Sequence, residues 1–275
     1  MTGGPTFAVN DQIGPLLSFG NTLLVVYWDN SAGQILVYKS TDNATNLTSV
    51  CSFKSAGPAL GIVSWINEAG SSVPWLRTRE SWGIIDITNS AYLPVIDVPT
   101  ELSTAKGMGV GGKFLYVPEQ EGFNICYFSG GDLTVQSVGL DRDDGLIAEK
   151  QGHVTAMTRS NRWLFVAYGG LATGHKACIF AWDGQGWHFI AKHATANQKI
   201  IAMAVSSADD GTVTRLHYMV ETLPAQSAAY YLDNILDNPR QILDPAIKYL
   251  TGKSIYTPDF GGYEPELNGT AFELV

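Results

Sequence analysis

Residues 153–193 read HVTAMTRSNRWLFVAYGGLATGHKACIFAWDGQGWHFIAKH, and four strand-like runs stand out in them: His153–Thr158, Arg162–Tyr168, Lys176–Trp182 and Gly186–Ile190. The runs are short, rich in β-branched and aromatic residues, and bounded by turn residues, as strands are. Between them lie Ser160-Asn161, Gly169-Gly170 and Asp183-Gly184-Gln185-Gly186. Gly and Asn accept positive φ at little cost, so these junctions predict hairpins and the whole stretch predicts a four-stranded antiparallel meander.

Working outward, the second run recurs. Thr22–Trp28, Val73–Arg77, Lys113–Val117 and Arg215–Val220 superpose on Arg162–Tyr168 at a period of roughly 45–50 residues, the signature of a repeat array. The first copy then comprises Leu16–Ser18, Thr22–Trp28, Gln34–Lys39 and Leu47–Phe53. The second comprises Gly61–Ile66, Val73–Arg77, Trp82–Ile87 and Tyr92–Val98. Lys106–Val110, Lys113–Val117, Phe123–Phe128 and Leu133–Val138 make the third. The fifth runs from Ile200–Ser206 through Leu216–Val220 and Ala228–Leu232 to about Ile242, and is the least regular.

One meander of this size cannot bury both of its faces, so stacking copies around an axis is the economical closure. The expected fold is all-β: a β-propeller of five, or with the terminal segments six, four-stranded antiparallel blades over residues 1–250, with 251–275 a C-terminal extension, closing strand or start of a further β-domain. A β-sandwich is the structural alternative. First strands such as Gly107-Met108-Gly109-Val110 are small, as crowding near an axis requires, and second strands carry the bulk that fills the space between blades.

Composition agrees with a turn-rich globule. The 275 residues are 45% hydrophobic and only 16% charged, with 29 Gly and 12 Pro, too apolar for disorder and too punctuated for a helical bundle. A net charge of −9 argues against nucleic-acid binding. No stretch is long and apolar enough for a membrane-spanning helix, and residues 1–11 lack a signal-peptide pattern, so no membrane insertion is expected. Cys51, Cys126 and Cys178 have no CxxC spacing and read as buried thiols. The sequons at Asn43, Asn46 and Asn268 carry no weight.

The search for catalytic chemistry is mostly negative. A propeller glycosidase needs paired carboxylates aimed at a common space. The inferred first strands hold none; Asp11 and Glu68 only flank two of them, and Asp143, Asp144, Asp209 and Asp210 read as solvated turn residues. Asp141-Arg142-Asp143-Asp144-Gly145 is a weak calcium pattern that lacks the later bidentate Glu. His153, His175, His188, His193 and His217 form no metal motif, although His188 and His193 share a strand. Gly111-Gly112-Lys113 lacks the full phosphate-loop frame and reads as a hairpin turn. Hence no catalytic residue, metal or cofactor is expected, and no enzyme activity. Of the seven Trp, Trp182 and Trp187 sit at a loop edge around Asp183, where rings and a carboxylate could take a sugar; these three are the candidate ligand residues.

The quoted blade, followed by the tail SIYTPDFGGYEPELNGTAFELV at residues 254–275, resembles the propeller regions of tailed-bacteriophage virion proteins, in which the last blade leads through a T-P-x-F-[DG]-G segment into another β-domain. That resemblance implies a non-enzymatic virion component, tail or host-attachment, assembled in the host cytoplasm. It further implies a homo-oligomer that contacts other virion proteins and, through its loops, a host-surface glycan. It also leads one to expect that the sequence is one part of a larger protein. A carbohydrate-binding module or propeller glycosidase is the alternative.

Overall fold

A computed structural model describes residue 8 and residues 10–42, 45–97, 104–140, 152–160, 163–171, 174–207, 214–223, 226–232 and 247–249. Among the described residues, twenty strands build five four-stranded sheets. The first holds β1 (Gln12–Phe19), β2 (Thr22–Asp29), β3 (Gln34–Ser40) and β4 (Thr48–Lys54); the second, β5 (Gly61–Ile66), β6 (Ser72–Arg77), β7 (Ser81–Asp86) and β8 (Ala91–Asp97). The third holds β9 (Gly109–Gly111), β10 (Phe114–Pro118), β11 (Gly122–Ser129) and β12 (Asp132–Gly139). β13 (His153–Ser160), β14 (Trp163–Gly169), β15 (Lys176–Trp182) and β16 (Trp187–Ala196) make the fourth. The fifth is β17 (Lys199–Ser207), β18 (Thr214–Leu223), β19 (Gln226–Leu232) and β20 (Ile247–Tyr249). Spatial order follows chain order in every sheet. The fold is therefore an all-β propeller of five antiparallel blades, and the sandwich alternative falls away.

Most strands lie within a residue or two of their expected places; β1 begins at Gln12 rather than Leu16, β18 runs on to Leu223 rather than Val220, and β9 and β16 depart for local reasons. β9 spans three residues only, because Gly109 and Gly111 bring no side chain to pack. β16 continues past Ile190 to Ala196, its pairing with β15 absorbing two register shifts. The strand beside β19 in the last blade lies at Ile247–Tyr249, with Leu232 opposite Ile247; Ile242 lies outside the described residues. Gly112, at φ +60, turns β9 into β10, so Gly111-Gly112-Lys113 is the hairpin it was read as. Asp141–Gly145, Asp209, Asp210, Asn43, Asn268 and the whole of 251–275 lie outside the described residues.

The chain divides into two compact units: Met1–Thr104 with Gly112–Leu115 and Cys126–Val135, and Ala105–Gly111 with Tyr116–Ile125 and Gln136–Val275. In the first unit Leu24, Val26, Ile35 and Val37 of one blade pack with Ile62, Leu76 and Ile85 of the next. In the second, β14 is buried along its whole length, which is why WLFVAYG is a continuous apolar run and not an alternating one. Phe165 joins one cluster with Ile179, Leu216 and Tyr218, while Leu164 and Val166 join another with Phe123, Phe180 and Trp187. Each fully buried side chain of this size contributes about 1.5–3 kcal/mol. β8 is an edge strand with no fully buried residue, and Pro94 within it removes a donor that a foreign strand would use. All three cysteines are buried thiols outside any disulfide, and burial pushes Cys51 up to about 11.

Candidate functional site

Trp182, Asp183 and Trp187 do come together, at the β15–β16 hairpin of the second unit, where Trp182 stands opposite Trp187. The Asp183 carboxylate accepts from the backbone N–H of Gln185 and Gly186 at 2.9 and 2.8 Å and lies 2.9 Å from His188 Nε2. Burial alone pushes its pKa up, but these hydrogen bonds and the His188 ring outweigh it and hold it at about 2. Trp187 is only 6% exposed; its ring meets Phe123 at 5.5 Å and Trp182 at 5.5 Å, and its Nε1 donates to the Gly139 carbonyl at 3.0 Å. Trp182 is half-buried, and its Nε1 is buried with no partner among the described residues. The carboxylate is thus committed to the turn and the Trp187 ring to the core.

An open hollow in the first unit has the opposite character. It encloses about 490 Å³ between the Asn67–Ala69 turn, Trp75 on β6, Ile84 on β7, Val95 on β8 and Phe128 on β11. This is within the range of small-ligand sites, which are apolar surfaces with a few placed polar groups. The aromatic floor is built from within: Phe128 stacks on Trp65 at 5.4 Å, Trp65 meets Trp75 at 5.1 Å, and Trp75 meets Trp82 at 5.6 Å. Trp75 Nε1 donates to the Ile66 carbonyl, which fixes the ring. Phe128 stays partly exposed and Val95 is 40% exposed, so the floor has open apolar surface.

Two polar groups stand at its rim. Asn67 closes the β5–β6 turn: its Oδ1 accepts from Ser71 N–H at 2.9 Å and its carbonyl from Gly70 N–H at 2.9 Å. Its side-chain nitrogen has no partner among the described residues and remains a donor for a ligand. The exposed Glu68 carboxylate lies against the bare backbone of Gly131, where a Cβ would sit 3.5 Å from its Oε1. An aromatic face with one amide and one carboxylate can stack on a sugar ring and hydrogen-bond its hydroxyls.

Several other titratable groups have local work. Asp11 accepts from the Tyr27 hydroxyl, from Ala8 N–H and from Asn30 N–H, and these bonds, that of Tyr27 foremost, lower its pKa. Asp29, Asp42 and Asp86 accept backbone N–H groups in turns, which lowers each. Although His188 and His193 share β16, His188 serves Asp183, whereas His193 Nε2 lies 3.1 Å from the Tyr218 hydroxyl. Among the described residues no cluster of His, Cys, Asp and Glu could hold a metal ion. Of the hollow's residues, sequence reasoning had noted Glu68 as flanking a first strand and Trp75 among the scattered tryptophans; it missed Asn67 and Phe128.

No protein-family model matches the chain. No curated protein sequence matches it either. Among solved structures it is similar to two of the extracellular domain of a B. thetaiotaomicron protein, described in one as a hybrid two component system and in the other as a one component system. Identity is 11% in both, coverage of this chain 94% and 95%, and the TM-scores are 0.54 and 0.55. The chain spans 30% of the length of each. It is also similar to a Bacteroides uniformis protein described as a 6-phosphogluconolactonase, at 12% identity over 85% of this chain and 72% of that one, with a TM-score of 0.47. The first two support the propeller fold, and identity this low carries nothing finer.

Proposed function

We propose that the chain is a non-catalytic recognition propeller whose hollow in the first unit takes a neutral saccharide. In line with the sequence resemblance, we place this activity on a tailed-phage particle, where an oligomer of such propellers, held by other virion proteins, attaches to host-surface glycan. The observation that carries the reading is the pairing of the open Phe128 face with the Asn67 amide and the Glu68 carboxylate around one hollow. A glycosidase would place two carboxylates about a scissile bond. The described lining holds one, Glu68, and its negative charge favours neutral over acidic sugars.

A glycan array with the purified chain, followed by titration of the best neutral oligosaccharide, tests this. Phe128→Ala and Glu68→Gln each weaken binding about tenfold or more, by loss of the stacking face and of a charge-assisted hydrogen bond. The sugar is recovered intact. Binding that survives both substitutions refutes the site, and cleavage of the sugar refutes the non-catalytic reading.

A further inference from the structure

A second site, independent of the hollow, lies in the second unit. Arg159 near the end of β13 reaches over β9, and its Nη1 donates to the Val110 carbonyl at 2.6 Å. The guanidinium lies directly on Gly111: a Cβ there would fall 2.2 Å from Cζ, 2.4 Å from Nη2 and 2.5 Å from Nη1. Gly109 makes room in the same way for the stem, with a Cβ position 3.0 Å from Arg159 Cβ. The Tyr116 ring lies 5.4 Å from Cζ, a cation–π contact that fixes the group further. Two glycines, one carbonyl and one aromatic ring thus hold a half-buried arginine in a single pose.

That arrangement leaves most of the charge group unused. A guanidinium has five N–H donors in a rigid planar fork, and the Val110 carbonyl takes one. Among the described residues no carboxylate pairs with Arg159, although such pairs form elsewhere, as between Lys199 and Glu221 at 3.0 Å. A pre-ordered fork with free donors binds a planar carboxylate through two parallel hydrogen bonds, and little side-chain entropy remains to be lost on binding.

We propose that Arg159, seated on Gly109, Val110, Gly111 and Tyr116, is a binding site for the carboxylate of a small organic anion, whether a free acid or an acidic sugar. The bare glycine backbone has a purpose in this reading, since any larger residue at 111 would push the guanidinium off its seat.

The test is a titration of the ¹⁵N-labelled chain with D-galacturonate, acetate and D-galactose, read at the backbone resonances of Val110, Gly111 and Tyr116 and at the Arg159 side chain. Galacturonate shifts these resonances and galactose does not. If acetate shifts them too, a simple carboxylate suffices; if only galacturonate does, the sugar ring contributes, and either result supports the site. Arg159→Lys keeps the charge but not the fork and weakens binding about tenfold or more. Gly111→Ala displaces the guanidinium and does the same. Absence of a galacturonate shift in the wild-type chain overturns the proposal. So does unchanged affinity in either variant when its spectrum shows the native fold, because Arg159 would then serve only to tie β13 to β9.

Discussion

Acidification should weaken the second unit through one buried histidine. His193 on β16 is 8% exposed, with the Tyr218 hydroxyl 3.1 Å from its Nε2 and the Tyr230 ring centroid 4.7 Å away. Burial disfavours the imidazolium and lowers its pKa from 6.5 to about 4. The unfolded chain therefore binds this proton at a higher pH than the folded one. The stabilisation is fully present above pH 6.5, falls as pH drops from 6.5 towards 4, and levels off below that. A difference of roughly 2.5 units corresponds to about 3 kcal/mol, a large part of the stability of an ordinary domain. The assay is urea unfolding of wild type and His193→Phe at several values between pH 7 and pH 4. The variant carries a fixed penalty from the unpaired Tyr218 hydroxyl but lacks this titration. Its stability relative to wild type should therefore rise by about 3 kcal/mol over that range. A difference that stays constant across the range refutes the reasoning.

Other predictions follow from particular contacts. Gly83→Ala would put a Cβ 2.1 Å from the Leu93 carbonyl oxygen, backbone that cannot swing aside; we expect a loss of about 2–3 kcal/mol and a fall in Tm of several degrees. Asp183→Ala removes the acceptor for Gln185 N–H, Gly186 N–H and His188, so the β15–β16 turn amides should exchange faster with solvent while the fluorescence of buried Trp187 is kept. Cys51, Cys126 and Cys178 should resist a thiol reagent in the native protein and all react once it is unfolded, since each is buried and Cys51 is held at about 11. Rapid labelling of any of them at neutral pH would contradict their assigned burial.

The blades were legible because their signal is local and repeated. Strand-length apolar runs between Gly, Asn and Asp turns recur along the chain, and a missed boundary in one copy is corrected by the others. Where a copy departs from that code the reading slipped: two of the three residues of β9 are glycine, which carries no strand pattern. Side-chain direction was the harder quantity. The Asp183-Gly184 turn could be read, but Trp187 is drawn inward by the Gly139 carbonyl and the Phe123 ring, both distant in sequence. Glu68 could be noticed as a carboxylate beside a first strand. That it shares a hollow with Phe128 depends on the β5–β6 and β11–β12 turns meeting, which no local pattern encodes. Arg159 was invisible for the same reason: its seat is made by glycines of another blade.

The most direct test of saccharide recognition is a crystal structure of the chain soaked with the neutral oligosaccharide that binds best. The account predicts an intact sugar ring stacked on Phe128, with its hydroxyls hydrogen-bonded to the Glu68 carboxylate and the Asn67 amide. An empty hollow with the sugar bound elsewhere, or a cleaved product within it, would contradict the account.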